Sequence, residues 1–161
     1  MKYRQYFQFP IGKIEAIADD KYLLYLGFCN EEKFVEKLFG NEFINKSNNI
    51  LDNTKNQLKE YFEGKRKVFN IPLKYDGTEF QKKVWRELQK IPYGETGSYQ
   101  DIAKNINSPY AVRAVGGANH INRISIIIPC HRVIGKNGKI VGYGGGIDKK
   151  IYLLELEKEN K

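Results

Sequence analysis

Apolar and polar residues alternate along three short segments near the start of the chain, a pattern typical of half-buried strands. The segments are residues 2–9, 12–19 and 22–28, and they break at Pro10-Ile11-Gly12 and at Asp19-Asp20. Proline, glycine and aspartate at such breaks favour tight turns. We therefore predict an antiparallel meander of three strands.

Apolar residues at helical spacing follow the meander and predict helices over Glu32–Phe39 and Ile50–Phe62. Residues 65–73 begin with three basic residues and continue as Val-Phe-Asn-Ile-Pro-Leu, which we interpret as one more strand before a linker at 74–77. Because no set of polar side chains converges in residues 1–74, this part is interpreted as a small α/β scaffold domain.

Residues 77–161 predict a second, mostly helical domain. Thr78 is a helix cap before a helix that reaches Leu88, and Ser98-Tyr99-Gln100-Asp101 has the sequence of a capping box. Ser108-Pro109 is typical of another helix start, with the helix ending before Gly116-Gly117. Two short helices with a tight connection form a helix-turn-helix pattern, which occurs in DNA-binding proteins and in ordinary protein cores.

A final helix is predicted over Asp148–Glu157. Its spacing places Ile151 and Leu154 towards the core, with Leu153 as a further candidate. Between this helix and the helix-turn-helix lies the apolar run Ile124–Cys130.

The amino-acid composition adds an indication about binding partners, because the chain is strongly basic. The 161 residues are 41% hydrophobic and 29% charged, which suits one folded domain or two small ones. The net charge is +8, and residues 77–161 carry 14 of the 27 Lys and Arg residues but only 8 of the 19 Asp and Glu residues. A basic surplus favours a polyanionic partner, although by itself a solvated surface explains it equally well.

Membrane and secreted classes do not fit the sequence. The run Ile124–Cys130 is far shorter than the roughly 20 residues of a membrane-spanning helix. The first 13 residues lack the apolar stretch of a secretory signal. Two cysteines cannot make a disulfide framework, so we expect a reducing compartment, with Cys29 buried as a packing residue.

Cys130 is the candidate nucleophile, because it lies directly beside a proton acceptor, His131. Neighbouring cations lower the pKa of a thiol from about 8.5 and favour the reactive thiolate. A downstream carboxylate, Asp148 or Glu157, is available to orient the imidazole. For a Cys-His pair taken alone, a buried structural cysteine is the commoner explanation.

Metal binding and a disulfide are both disfavoured. Cys29, Cys130, His120 and His131 make up a Cys2His2 set by number, but no Cys-x-x-Cys or short His pair is present. We therefore predict no zinc and no bond between the two cysteines.

The segment Ile128–Ile134 resembles the active-site signature of the O6-alkylguanine-DNA alkyltransferases, the methylated-DNA–protein-cysteine methyltransferases. Other motifs stand in the order and spacing of that family: Tyr93-Gly94-Glu95, Ser98-Tyr99-Gln100, Val112–Ala118, Asn122 and Gly142–Gly146. The resemblance covers essentially all of residues 77–159 and is faint over residues 1–76.

The resemblance implies an α/β fold of the α+β kind. Residues 1–74 would form a ribonuclease H-like domain with an antiparallel sheet and helices. Residues 77–161 would form the DNA-binding and catalytic domain, mostly helical, with a winged-helix-like helix-turn-helix. Family members place this motif in the minor groove of DNA.

The resemblance also implies one reaction and one partner. The Cys130 thiolate would attack the alkyl carbon on O6 of guanine in DNA, with O4-alkylthymine as a second candidate substrate. Transfer to sulfur is irreversible, so each molecule acts once and needs no metal or organic cofactor. The partner is double-stranded DNA, bound as a monomer largely without sequence specificity. No membrane is involved, and we expect the cytoplasm with its nucleoid, or the nucleus in a eukaryote.

Residue roles follow from the resemblance position by position. In catalysis, His131 would be the base through a water and Glu157 would orient it, while Asn122 would tie the active-site turn to the helix-turn-helix. Tyr99 would crowd the phosphate of the extruded nucleotide and donate a proton towards the leaving guanine. Arg132, next in the signature, is expected to have a structural role.

The DNA contacts and the base pocket are assigned in the same way. Arg113 would enter the base stack in place of the extruded base. Arg123 stands where family members often have proline, and we expect it to contact a phosphate. The remaining DNA-binding positions are Ser98, Tyr99, Ala114 and Gly117. The remaining base-pocket positions are Val133, Tyr143, Gly144 and Gly145.

Two alternatives from other classes stay open at this point. One is a DNA-binding module that senses lesions without transferring the alkyl group. The other is a cysteine hydrolase that uses Cys130 and His131 with multiple turnover, although no oxyanion-hole signature accompanies them.

Overall fold

The computed structural model describes residues 1–29 and 32–161. The chain divides into two compact units, Met1–Tyr75 and Asp76–Lys161, and each is described by itself. Within the described ranges, no helix has the length and apolar character needed to cross a membrane.

The first unit is built on an antiparallel sheet with the strand order β1-β2-β3. Its strands are β1 (Tyr3–Phe9), β2 (Gly12–Ala18) and β3 (Leu23–Phe28). Phe9 pairs with Gly12 across the first turn, where the positive φ of Gly12, 130°, is a conformation that suits glycine. The predicted meander is therefore confirmed.

Two helices pack in this unit, α1 (Glu32–Phe39) and α2 (Asn49–Phe62). The Asn48 side chain caps α2 by accepting a hydrogen bond from the Leu51 backbone N–H. The core around Ile17 and Tyr25 of the sheet includes Val35 of α1. Both predicted helices are confirmed, and with the sheet they give this unit the predicted mixed character.

Two predictions for the first unit are wrong. Residues 68–73 form no strand, because Leu73 makes only an isolated bridge with Leu23 and Pro72 has no N–H to extend a ladder. Cys29 is exposed instead of buried. It lies in the turn after β3, where the strand that directs alternate residues inward has already ended.

The second unit contains the four helices α3 (Glu79–Leu88), α4 (Tyr99–Asn105), α5 (Val112–His120) and α6 (Ile147–Glu159). Strands β4 (Gly97–Ser98) and β5 (Val133–Ile134) form a short parallel pair. Complete capping boxes begin α3 at Thr78 and α4 at Ser98, as predicted. The mostly helical character of this part is confirmed.

The second helix of the helix-turn-helix differs from its prediction. It begins at Val112, because the Ala111 N–H still bonds to Ser108 O in a turn. It also continues through Gly116-Gly117 to His120. Glycine is a poor helix former, but burial of Val115 and Ala118 on the inner face stabilises these turns.

In helix α6 the candidate core residue Leu153 is confirmed, Leu154 is half-buried, and Ile151 points outward. Lys150, Leu153 and Glu157 are buried at helical spacing, while Ile151 is exposed. The prediction for Ile151 is wrong because residues 151 and 153 differ by about 200° around a helix.

Candidate active site

Cys130 begins a 3-10 turn, Cys130–Arg132, directly after the apolar run. The side-chain amides of two asparagines hold this turn. Asn122 donates to Ile128 O at 2.8 Å, and Asn119 donates to Cys130 O at 3.3 Å. Asn119 belongs to α5, so the end of the helix-turn-helix fixes the position of the thiol.

The thiol of Cys130 is buried, with 4% of the residue exposed. Burial raises its pKa, and the hydrogen bond from Asn122, the charge of Lys150 and the Tyr143 hydroxyl oppose this effect without cancelling it. The thiol therefore stays protonated at neutral pH and needs a base to become a nucleophile.

That base is available in His131, which is fully buried with Glu157. Nε2 of His131 lies 2.6 Å from Oε2 of Glu157. An ionised carboxylate only accepts hydrogen bonds, so Nε2 carries the proton and Nδ1 keeps its lone pair. Burial lowers the pKa of His131, and the opposing effect of Glu157 does not restore it. The ring is therefore a neutral base whose Nδ1 bonds to none of the described residues.

Glu157 is held as a carboxylate by several donors. Arg132 donates from Nε to Oε1 at 2.8 Å and from Nη2 to Oε2 at 3.1 Å, and the Gly94 N–H donates to Oε1 at 3.1 Å. Burial alone raises the pKa of Glu157, but the hydrogen bonds from His131 and Arg132 and the charge of Arg132 hold it well below the usual range. Asp148, the other candidate carboxylate, is exposed instead.

The outer face of α5 carries Arg113, Ala114 and Gly117, all of them exposed. A Cβ added at Gly117 would meet no atom within 4 Å. The small residues Ala114 and Gly117 therefore leave this face low beside the exposed side chains of Arg113 and His120. Ser98 caps α4, and the adjacent Tyr99 is half-buried, with a pKa raised first by burial and then by Cys130.

The predicted pocket residues lie in the short parallel pair and in the loop before α6. Val133 pairs with Gly97 in the parallel pair and is fully buried. Tyr143 is nine-tenths buried, and its hydroxyl interacts with Cys130. A Cβ at Gly144 would lie 3.2 Å from His120 O, so this position needs a residue without a side chain to approach α5. Gly145 continues the same turn.

The sequence analysis missed Lys150, whose side chain ties the loop before α6 to strand β5. Its ammonium group is buried and donates to Val133 O at 2.5 Å, Val141 O at 3.0 Å and Gly142 O at 3.3 Å. Burial lowers the pKa of Lys150 to about 8. The electrostatic interaction with Cys130 acts in the opposite direction and raises it. One signal was present in the sequence, because Lys150 lies seven residues before Glu157 and therefore on the same helix face.

Both units match domains of one known protein family. The ribonuclease-like domain of the 6-O-methylguanine DNA methyltransferases matches residues 2–75, and the DNA-binding domain of the same proteins matches residues 79–159. The chain belongs to the 6-O-methylguanine DNA methyltransferase family. The resemblance seen in the sequence is thereby confirmed, and it extends over the first unit as well.

Individual members of this family are similar to the chain over almost its whole length. A methylated-DNA–protein-cysteine methyltransferase of Methanosarcina acetivorans is 46% identical over 96% of this chain and 97% of its own length. The crystal structure of the Mycobacterium tuberculosis O6-methylguanine methyltransferase has a TM-score of 0.87 at 40% identity, covering 100% of this chain and 95% of that protein. The M. tuberculosis protein in complex with DNA has a TM-score of 0.88 at 40% identity, covering 98% and 94%.

Among the residues matched to the family motifs, the structure joins His131 to Glu157 and places Asn122, Tyr99 and Tyr143 close enough to Cys130 to interact with it. Arg123 differs: it is only 9% exposed and donates from Nη1 to Ile121 O at 2.8 Å and from Nε to Asp76 O at 3.3 Å. This burial argues against the expected phosphate contact. Among the described residues, no group of three His, Cys, Asp or Glu side chains is placed to hold a metal ion.

Proposed function

We propose that this methyltransferase repairs DNA by direct reversal, transferring the alkyl group from O6 of guanine to Cys130. One observation carries the proposal: the buried Cys130 is followed directly in the chain by a buried imidazole whose proton-bearing nitrogen is fixed on Glu157, which leaves Nδ1 as the base. Membership of the family supports the same reaction. The buried, ionised Glu157 stabilises the imidazolium that forms when the thiol loses its proton.

The reaction proceeds by displacement at the alkyl carbon. The Cys130 proton passes to His131 Nδ1 through a water, and the sulfur forms a bond to carbon as the bond from carbon to O6 breaks. The leaving guanine takes a proton from the Tyr99 hydroxyl, and Tyr99 regains a proton through water as the His131 imidazolium gives one up. The product is a thioether, whose stability makes the transfer irreversible, so each protein molecule reacts once.

The alkylated base reaches the thiol only after leaving the duplex, because O6 cannot be approached inside the base stack. The open face of α5 fits against DNA, and Arg113 on that face fills the gap left by the extruded base. Val133, Tyr143, Gly144 and Gly145 enclose the guanine, with Ser98 and Tyr99 near its phosphate. Such contacts are independent of sequence, and we expect a monomer to make them.

The two parts of the chain have different roles in this proposal. Residues 77–161 bind DNA and carry out the transfer, and residues 1–74 serve as a scaffold. The thiol of Cys130 must stay reduced to react, which fits a protein of the cytoplasm acting at the nucleoid or, in a eukaryote, the nucleus. O4-alkylthymine is a second substrate to test.

The test is the intact mass of the protein after mixing with a duplex that carries one O6-methylguanine. We expect one added methyl group, mapped to Cys130, and a plateau at one transfer per protein. The chain offers its own control in its other cysteine: Cys29→Ala should react like the wild type, whereas Cys130→Ala should bind DNA without gaining mass. Residual methylation of Cys130→Ala would overturn the assignment.

Two other results would identify the alternative functions, one from this measurement and one from an assay with an ester substrate. A folded wild-type protein that binds the duplex without a change in mass would be a lesion-binding module. Multiple turnover on an ester substrate would identify a cysteine hydrolase.

A further inference from the structure

Arg123 lies beside Asn122, the residue whose amide holds the active-site turn. Its guanidinium donates from Nη1 to Ile121 O at 2.8 Å and from Nε to Asp76 O at 3.3 Å. Ile121 is the C-cap of α5, so a cation at this point also interacts favourably with the helix dipole. These contacts are internal to the second unit and engage two of the five N–H donors of the guanidinium.

The same guanidinium packs over Trp85, and its central carbon, Cζ of Arg123, lies 5.1 Å from the centroid of the indole ring. Trp85 is fully buried and donates from Nε1 to Ala118 O at 2.9 Å. A Cβ added at Gly77 would come within 2.7 Å of the indole, so the backbone at 77 closes on the ring as well. Trp85 is therefore a fixed platform, and Arg123 has little freedom to turn towards solvent.

These contacts restrain Asn122 from both sides along the chain. The preceding carbonyl, Ile121 O, is held by the side chain of the following residue, Arg123. Asn122 Oδ1 accepts from the Ile124 N–H at 3.1 Å, and Nδ2 donates to Ile128 O at 2.8 Å. Ile128 O also accepts from the Cys130 N–H at 2.8 Å, which completes a continuous path from the guanidinium to the nucleophile.

We propose that Arg123 is a positioning residue for the transfer, fixing the turn at Asn122 and through it the Cys130 thiol. In this chain the forked guanidinium supplies the restraint, through hydrogen bonds to Asp76 and Ile121 and packing on Trp85. The inference rests on the proposed function and adds a residue to it.

The proposal is tested with Arg123→Ala and Arg123→Lys, and with Arg86→Ala as a control that removes an exposed arginine from α3. Methyl transfer is timed by intact mass at saturating duplex, and separately with free O6-methylguanine base. Because small displacements of reacting groups slow reactions strongly, we expect both Arg123 variants to transfer about tenfold more slowly on both substrates. Arg86→Ala should transfer at the wild-type rate.

A phosphate contact predicts a different set of results. Arg123→Lys would then keep most activity, and the loss in Arg123→Ala would appear as weaker DNA affinity with normal transfer to the free base. That outcome would overturn the proposal. Rates are measured at a temperature where thermal melts show each variant folded, so loss of folded protein does not enter the comparison.

Combining the substitution with Asn122→Ala separates positioning from general stabilisation. If Arg123 acts through Asn122, adding Arg123→Ala to Asn122→Ala should cause little further loss of rate, whereas independent effects would multiply. Multiplying effects would overturn the proposal. If the wild type takes up no methyl group, the proposed function itself fails. If it does, and Arg123→Ala matches it, only this inference fails.

Discussion

Oε2 of Glu157 lies 2.6 Å from Nε2 of His131, and both side chains are buried from solvent. This single contact decides which imidazole nitrogen carries the proton and which one keeps its lone pair. Arg132 balances the charge of Glu157 from the other side, at 2.8 Å. The ionised carboxylate is thus compensated even while His131 is neutral.

Glu157→Gln is predicted to slow methyl transfer by about a hundredfold, the range expected when acid–base catalysis is impaired. The amide lacks the charge that stabilises an imidazolium, and its NH2 group faces donors on His131 and Arg132. The measurement is the time course of intact mass with a methylated duplex. Glu155→Gln, an exposed position on the same helix, is the control and should react normally. A normal rate in Glu157→Gln would remove this residue from the mechanism.

Acid is predicted to destabilise the wild type more than Glu157→Gln. The folded pKa of Glu157 lies well below the value of about 4.3 for an unfolded glutamate. Its stabilisation is therefore fully present above about pH 4.3 and is lost as the pH falls from there towards the folded pKa. Urea unfolding of both proteins at several pH values checks this. A difference in free energy that stays constant below about pH 4.3 would contradict it.

Alkaline conditions are predicted to stabilise the wild type relative to Lys150→Met. The folded pKa of Lys150 is lowered to about 8, and the unfolded value is about 10.4. Between these values the unfolded chain binds more protons, so the free energy of unfolding rises with pH. Methionine has no proton to lose, and Lys149→Met is the control. Parallel stability curves for the wild type and Lys150→Met would refute the burial effect.

Arg113→Ala is predicted to impair transfer from duplex DNA much more than transfer from free O6-methylguanine. Arg113 is exposed on α5, and the space it is proposed to fill exists only when a base leaves a duplex. Rates on the two substrates give the comparison, again with Arg86→Ala as the control. Equal losses on both substrates would count against a role in base extrusion.

Gly117→Ala is predicted to stabilise the protein while weakening DNA binding. Alanine in a helix interior is more favourable than glycine by about 0.5–1 kcal/mol, and a Cβ at this position meets no atom within 4 Å. The same methyl group protrudes from the face proposed to approach DNA. Urea unfolding and DNA titration measure the two effects. Unchanged affinity would indicate that this part of α5 lies away from the DNA.

Local sequence features predicted the elements that depend on neighbouring residues. The capping residues Thr78 and Ser98 are followed by their helices because the hydrogen bonds of a cap form within four residues. The start of α5 was misplaced, because Ser108 begins a turn and packing of Val115 and Ala118 decides which residues become helical. Cys29 was misplaced for a related reason, since burial depends on where a strand stops.

The sequence by itself determined the family, the three-stranded meander and the pairing of Cys130 with a neighbouring histidine, because these follow from local pattern and adjacent residues. Only the tertiary structure decided that Lys150 holds the loop before α6 and that Arg123 turns inward onto Trp85. It also gave Glu157, which the family resemblance had already named, its direct contact with His131. Each of these contacts joins distant parts of the chain. Their geometry depends on how helices pack, which no local pattern specifies.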